Sequence, residues 1–247
     1  MPKKIFMFII LGTLLMWFSH DNVSALTSEK NIYYTNKYQV QFSEQEYNFF
    51  SNMYWDGYQD FVTQKEFDDI KQLNLFNSRI EKSTIINPDI MTRATTITEK
   101  SRTTTISRSC SSNCLVSLVT NWNSTPTVKS YDVVGARLSN STLKTINKAM
   151  VTGKNYSKQY TSYNKKGNGF GYSIKVPNAN NIRVTVSFTT SSGGKAFGSY
   201  QHSKSNISET TSQLYNISEN GSGNVFQFYG TATGKFDNAN GVNISLN

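Results

Sequence analysis

The chain has few of the residues that carry most acid–base and metal chemistry. Its 247 residues include two histidines, two cysteines and four prolines. His20 falls in the leading segment, residues 1–25, which leaves His202 as the one imidazole available further on. A Ser-His-Asp or Cys-His arrangement would have to use it as the base. The nucleophile elbow Gly-x-Ser-x-Gly is absent. So are the P-loop, His-Glu-x-x-His and the dinucleotide fingerprint, and no cofactor is expected. Two thiols without a neighbouring histidine make half a zinc site, so no metal is expected either. Carboxylates are also scarce after residue 95: Glu99, Asp132, Glu209, Glu219 and Asp237. Glycoside hydrolysis needs two of them across one cleft. Asp132 is the notable one, because it lies inside a strong strand signal with Val134 and Ala136 on its row. His202 continues the row of Ala196, Gly198 and Tyr200. The bland reading is preferred for both: a semi-buried carboxylate paired with Lys or Arg, and a structural or rim histidine. The chain is read as not an enzyme.

The start is informative. Lys3 and Lys4 precede an apolar run from Ile5 to Phe18, and Val23-Ser24-Ala25 supplies small residues for cleavage. This predicts a secretory signal peptide over residues 1–25 and a secreted, extracellular chain. No later run of 18 apolar residues follows, as a spanning helix would require. In an exported chain the two cysteines predict one disulfide, Cys110–Cys114. Its loop is so small that the chain-entropy gain is at most about 2 kcal/mol.

The net charge of +9 is unevenly divided. Residues 26–95 hold seven Lys/Arg against ten Asp/Glu, net −3, whereas residues 96–247 hold sixteen against five, net +11. A half this basic concentrates anionic partners. Outside a cell these are anionic wall polymers, acidic membrane surfaces or sulfated glycans, and nucleic acid is not the expected partner. Two bland readings stand beside this: the cations only solubilise, or the acidic segment docks on the basic one and neutralises it.

Ser43-Glu-Gln-Glu46 and Thr63-Gln-Lys-Glu66 are capping boxes. Tyr47, Phe50 and Tyr54 follow the first at helical spacing, and Phe67, Ile70 and Leu73 follow the second. Residues 43–73 are thus predicted as a short helix-turn-helix pair, with Tyr54, Trp55 and Tyr58 as core before any ligand platform. Taking Glu66 as the twelfth residue of a calcium loop puts Trp55 and Gly57 at the first and third positions, where neither supplies a carboxylate. Paired short helices opening on Ser/Thr-x-x-Glu, with an aromatic-rich turn between them, resemble a segment of uncharacterised exported proteins of low-GC Gram-positive bacteria. The resemblance covers residues 43–73. It implies an exported bacterial protein and assigns no activity to any residue.

Residues 74–95, with Asn87-Pro88-Asp89, read as a linker that closes an acidic segment of residues 26–95. Beyond it the pattern becomes β. Leu115–Trp122 reads as a strand, Thr125-Pro126-Thr127 as a turn, and Tyr131–Leu138 as the returning strand. Residues 139–153 are ambiguous. Phe170, Tyr172, Ile174 and Val176 alternate with polar or small residues, as do Ile182, Val184, Val186 and Phe188, and the two runs read as a hairpin. Strands near 214–217, 225–229 and 242–246 complete about eight or nine. The prediction is an antiparallel two-sheet β-sandwich over residues 96–247, behind the small helical segment.

For function, this points to a secreted, non-enzymatic binding or surface-associated sandwich. A membrane-acting pore former is the alternative, with residues 154–176 as the candidate barrel segment, and a secreted hydrolase using Asp132 or His202 comes third. The candidate ligand-binding residues are Tyr156, Lys158, Tyr160, Tyr163, Lys165 and Lys166, where cations and aromatics mix in a polar stretch.

Overall fold

The computed structural model describes residues 31–89, 100–218 and 223–247. The expected leader, the boundary near residue 95, Glu99 and Glu219 lie outside them. Residues 32–247 cluster as one compact unit. In chain order the elements are β1 (Tyr34–Thr35), β2 (Gln41–Phe42), α1 (Glu44–Met53), a 3₁₀ turn (Tyr58–Phe61), α2 (Gln64–Gln72), β3 (Ile80–Asp89), β4 (Lys100–Cys110), β5 (Asn113–Trp122), β6 (Tyr131–Ser139), β7 (Leu143–Gly153) and β8 (Tyr156–Tyr160). They continue with β9 (Asn164–Lys166), β10 (Gly169–Lys175), β11 (Arg183–Ser191), β12 (Lys195–Gln201), α3 (Glu209–Ser212), β13 (Tyr215–Ile217), β14 (Phe226–Phe228) and β15 (Val242–Ser245).

Both helices start where the sequence predicts. Ser43 forms the full capping box with Glu46. Thr63 caps α2, but Glu66 does not reach back. Its carboxylate accepts from the Tyr58 hydroxyl at 2.8 Å and from Lys148 of β7. A tertiary ion pair has displaced the local half of the motif. Tyr54 and Tyr58 are buried and stacked at 3.9 Å, so they belong to the core.

The fold is a β-sandwich. One sheet has the order β3-β4-β5-β11-β7-β8, the other β15-β12-β6-β10-β9, and every pairing in them is antiparallel. Alternation along each strand sends one row inward. Val116, Leu118, Val184, Val186 and Phe188 from the first sheet meet Val134, Ala136, Phe170, Tyr172 and Ile174 from the second. The disulfide Cys110–Cys114 is present and closes the β4–β5 hairpin.

Three expectations need correction. Residues 80–89 are not linker: they form β3, paired along ten positions with β4. β5 and β6 do not pair with each other, because the Thr125–Thr127 stretch carries the chain from one sheet to the other. β10 and β11 do not form a hairpin either; β10 lies between β6 and β9, and β11 between β5 and β7. The ambiguous stretch 139–153 contains the eleven-residue β7, whose register shifts opposite Ser187/Phe188 and Thr189/Thr190. That irregularity hid its period from the sequence.

Both outer faces of the sandwich are covered. The helical segment lies on the six-stranded sheet, where Leu115 and Met150 join the cluster of Phe42, Phe50, Met53, Phe67 and Ile70. Polar groups fix it there: Ser117 Oγ donates to the Met53 carbonyl, and Trp55 Nε1 donates to Thr185 Oγ1 at 3.2 Å. On the five-stranded sheet, Val133 and Phe197 pack under Tyr215, Phe226 and Phe236 of a C-terminal cap. The cap needs a flat floor. Gly135 and Gly171 are register partners, and a Cβ on Gly171 would lie 2.6 Å from Tyr215 Oη and 2.7 Å from Phe226 Cε1.

Gly171→Val is therefore expected to unseat the cap at a cost of about 1–3 kcal/mol. Thermal unfolding and limited proteolysis of residues 203–239 check it; an unchanged melting temperature and cleavage pattern would refute the role of the glycine floor. A second prediction concerns alkali. Burial raises the pKa of Tyr54, Tyr58, Tyr160, Tyr172, Tyr200 and Tyr215 above the usual phenol range. Above about pH 10 the unfolded chain loses phenolic protons that the folded chain keeps. Stability is thus full below that pH and falls as pH rises past it. A pH series of melting curves with phenolate absorbance tests this, and a flat profile between pH 9 and about 11.5 would contradict it.

Candidate functional sites

Two places bring chemistry-bearing side chains together. The first is inside the sandwich. β12 lies beside β6 with Tyr200 opposite Val134 and Gln201 opposite Val133. Continuing that register sets His202 beside Asp132 on the inward row. The two residues singled out separately in the sequence therefore meet, His202 Nδ1 lying 2.8 Å from Asp132 Oδ2. Tyr200 Oη donates to the same oxygen at 2.5 Å and accepts from Trp122 Nε1 at 3.2 Å. Asp132 Oδ1 accepts from the backbone N–H and hydroxyl of Ser203 at 2.9 and 3.0 Å. The expected Lys or Arg partner for Asp132 is replaced by histidine, tyrosine and serine.

Arg102 of β4 lies at the same end. Its side chain is wholly buried, with Nη2 2.5 Å from Asp237 Oδ2 and the guanidinium over the rings of Trp122 and Tyr200 at 5.3 and 5.4 Å. Asp237 in turn accepts from the His202 backbone N–H at 3.1 Å. Burial raises the Asp237 pKa, and Arg102 opposes that rise. The constellation looks like a catalytic dyad by residue type. Its geometry is that of a bolt: Asp132 and His202 side chains are 0% and 2% exposed, and both carboxylate oxygens of Asp132 are taken up by partners from the protein itself.

The second place is a surface cleft of about 490 Å³ lined by Arg137, Leu138, Lys166, Gly167, Asn168, Asn216, Ile217 and Ser218. One cross-strand row builds its base. Arg137 of β6 is opposite Gly169 of β10, and Gly169 is opposite Lys166 of β9. Two cations thus flank a residue without a side chain, about 10 Å apart at their Cα atoms for two ladder steps. The Arg137 guanidinium lies over the Phe197 ring at 3.9 Å, and burial lowers its pKa. It stays protonated nonetheless. Lys166 Nζ donates to the Tyr215 carbonyl at 2.5 Å and to Asn216 Oδ1 at 3.2 Å, between the rings of Tyr215 and Tyr229.

Of the other candidate residues, Tyr156 and Tyr160 are half-buried against the sandwich core, and the Tyr160 hydroxyl is tied to the backbone of Lys175. Lys158 lies over the Tyr160 ring at 4.8 Å. Tyr163 is 43% exposed, leaning on Phe170 and Tyr172, and Lys165 is exposed. The structure joins Lys166, and none of the other five, to the cleft lining. Arg137 escaped notice because it reads as one more scattered cation. Its signal was positional: it shares the outward row of Val133 and Gly135.

No family model matches the chain, and neither curated proteins nor solved structures include a similar one. The sites therefore carry the argument alone. Among the described residues no helix is long and apolar enough to cross a membrane, and no group of three or more His, Cys, Asp or Glu could hold a metal ion.

Asp132→Ala strands four buried donors at once and is expected to cost about 3–5 kcal/mol. Denaturant unfolding of Asp132→Ala and His202→Gln checks this, and a loss under about 1 kcal/mol in both would show that the network is dispensable.

Proposed function

We propose that the protein is a secreted, non-enzymatic β-sandwich that binds anionic cell-surface polymers or glycans. The observation that carries this reading is the convergence of Arg137 and Lys166 on one cleft, in the half of the chain with the +11 balance. Arginine carries a planar fork and lysine a compact point charge, a pairing suited to oxyanions. The disulfide is consistent with an oxidising compartment, which supports export. The non-enzymatic part is supported by the closed environment of the Asp132–His202 pair. The pore-forming alternative would require β8 to leave one sheet and β9 and β10 to leave the other. No observation favours it over simple binding.

Residues 26–247 should bind anionic wall polymer or acidic liposomes with an affinity that falls steeply with salt, as charge-driven association does. Lys166→Gln should weaken binding by about tenfold, roughly the loss of one charge-assisted hydrogen bond. Lys195→Gln, an exposed cation on β12 outside the cleft lining, should leave it unchanged. Co-sedimentation at low and high salt reads all three. Salt-insensitive binding, or equal losses in both variants, would sink the reading.

A further inference from the structure

Away from both sites, a groove of about 890 Å³ runs between α1 and the start of β3. One wall is a stripe of side-chain amides. Gln45, Asn48 and Asn52 follow one another at helical spacing on one face of α1. Asn48 and Asn52 are exposed and make no hydrogen bond among the described residues. Gln45 Nε2 donates to the Phe76 carbonyl at 3.3 Å, which ties the helix to the chain entering β3. Phe49 and Phe76, edge to face at 5.1 Å, add apolar lining.

The other wall is β3. Arg79, Ile80, Glu81 and Lys82 all line the groove. Successive side chains of a strand point to opposite faces, so a groove that touches four in a row follows the strand's rim. That rim is open: β3 pairs with β4 on one side and is the last strand of its sheet. In an antiparallel strand every second residue turns its N–H and C=O away from the neighbour, so the rim presents unpaired backbone groups. The walls also match in length. The helix from Gln45 to Asn52 rises about 10 Å, and the chain from Arg79 to Lys82 spans about 10 Å. The rim is positive. Glu81 is shared between Arg79 at 3.7 Å and Arg108 at 2.8 Å, and Lys82 is exposed with no ion pair among the described residues.

We propose that this groove takes an extended acidic peptide of a partner protein, added to β3 as a strand, with its carboxylates against Arg79 and Lys82. The peptide's inner backbone groups complete the β3 ladder. Its outer ones meet Asn48 and Asn52, whose amides both donate and accept. An oligosaccharide would use the amides but has no backbone to match the ladder, and the two cations select against basic strands. The proposal is independent of the Arg137–Lys166 cleft, which belongs to the other sheet.

The test is fluorescence-anisotropy titration of the purified protein with three labelled octapeptides. One alternates Glu and Thr, one is the same peptide N-methylated at its four central residues, and one alternates Lys and Thr. Saturable binding of the Glu peptide, at least about tenfold tighter than either of the others, is expected. Lys82→Glu should weaken it about tenfold, as one attraction becomes one repulsion. Asn52→Asp should weaken it from the other wall. Both positions are exposed, so the melting temperature should hold. Lys195→Glu, an equal charge change outside the groove, should leave binding within about twofold. Methylated and parent peptides binding alike, the Lys peptide binding as tightly, or both groove variants without effect overturns the proposal. So does the absence of saturation up to about 1 mM Glu peptide. Binding of an acidic oligosaccharide and no peptide would assign the groove to a glycan instead. Self-association lost in Lys82→Glu, without peptide binding, would assign the rim to a second copy of this chain.

Discussion

Burying Asp132 and Arg102 inside an apolar sandwich is the constraint on which the rest of the structure depends. Taking a charged group out of water costs several kcal/mol unless it is fully partnered. Asp132 finds its partners on the strand beside it and just past that strand's end: Tyr200, His202 and Ser203. Arg102 finds Asp237, the Tyr200 carbonyl and two aromatic faces, and is only partly satisfied, since its Nε and Nη1 have no hydrogen-bond partner among the described residues. The links cross between the sheets, since Arg102 and Trp122 belong to the six-stranded sheet and Tyr200 to the five-stranded one. A network of this kind adds little net stability against an apolar replacement, but it punishes any arrangement that breaks it. A one-residue slip of β12 on β6 would turn the Tyr200 and His202 row outward and leave Asp132 buried alone. The polar network therefore selects the register.

The same logic explains why both faces of the sandwich are covered. Leu115 and Met150 on one side, and Val133 and Phe197 on the other, put apolar surface outside the sheets. Neither sheet is thus a simple inside-apolar, outside-polar layer. The helical segment contributes a dense aromatic cluster, in which Phe50 and Phe67 touch each other and both touch Phe42 and Phe76. It brings one partly buried ion pair, Glu66 with Lys148, across to β7. That is a modest form of the internal neutralisation considered from charge alone. The larger effect of the two covers is to leave the cleft's cations at the border between sheet and cap.

Much of this was legible locally and little of it non-locally. The capping serine and threonine marked both helix starts, because capping is an interaction over three residues. Period-2 alternation located β10, β11 and β12 and set Asp132 and His202 on inward rows. Alternation says which way a side chain points and nothing about which strand lies beside it, so neighbouring runs were joined as hairpins where the chain in fact changes sheets. β3 was missed for a different reason. Glu81, Lys82 and Pro88 are residues that an edge strand tolerates and a central strand does not, and they disguise it as linker. Lys166 was noticed for its aromatic and basic company, whereas Arg137 needed the β6–β10–β9 ladder before its row could be seen.

The cleft also depends on the cap in a way that ties binding to folding. Lys166 reaches the Tyr215 carbonyl and Asn216, and Gly169 admits Ile217 so closely that a Cβ there would lie 2.6 Å from its Cγ2. Part of the lining is sheet and part is cap. A ligand that uses both binds only the seated form, so it stabilises the cap by its own binding free energy. Conversely, whatever loosens the cap lowers apparent affinity in proportion to the seated fraction. Gly171, whose missing Cβ admits Tyr215 and Phe226, therefore acts on the cleft although it does not line it. Under the proposed binding role, packing on one face of the sheet and recognition at its edge would be one equilibrium, set by how closely the cap approaches the sheet.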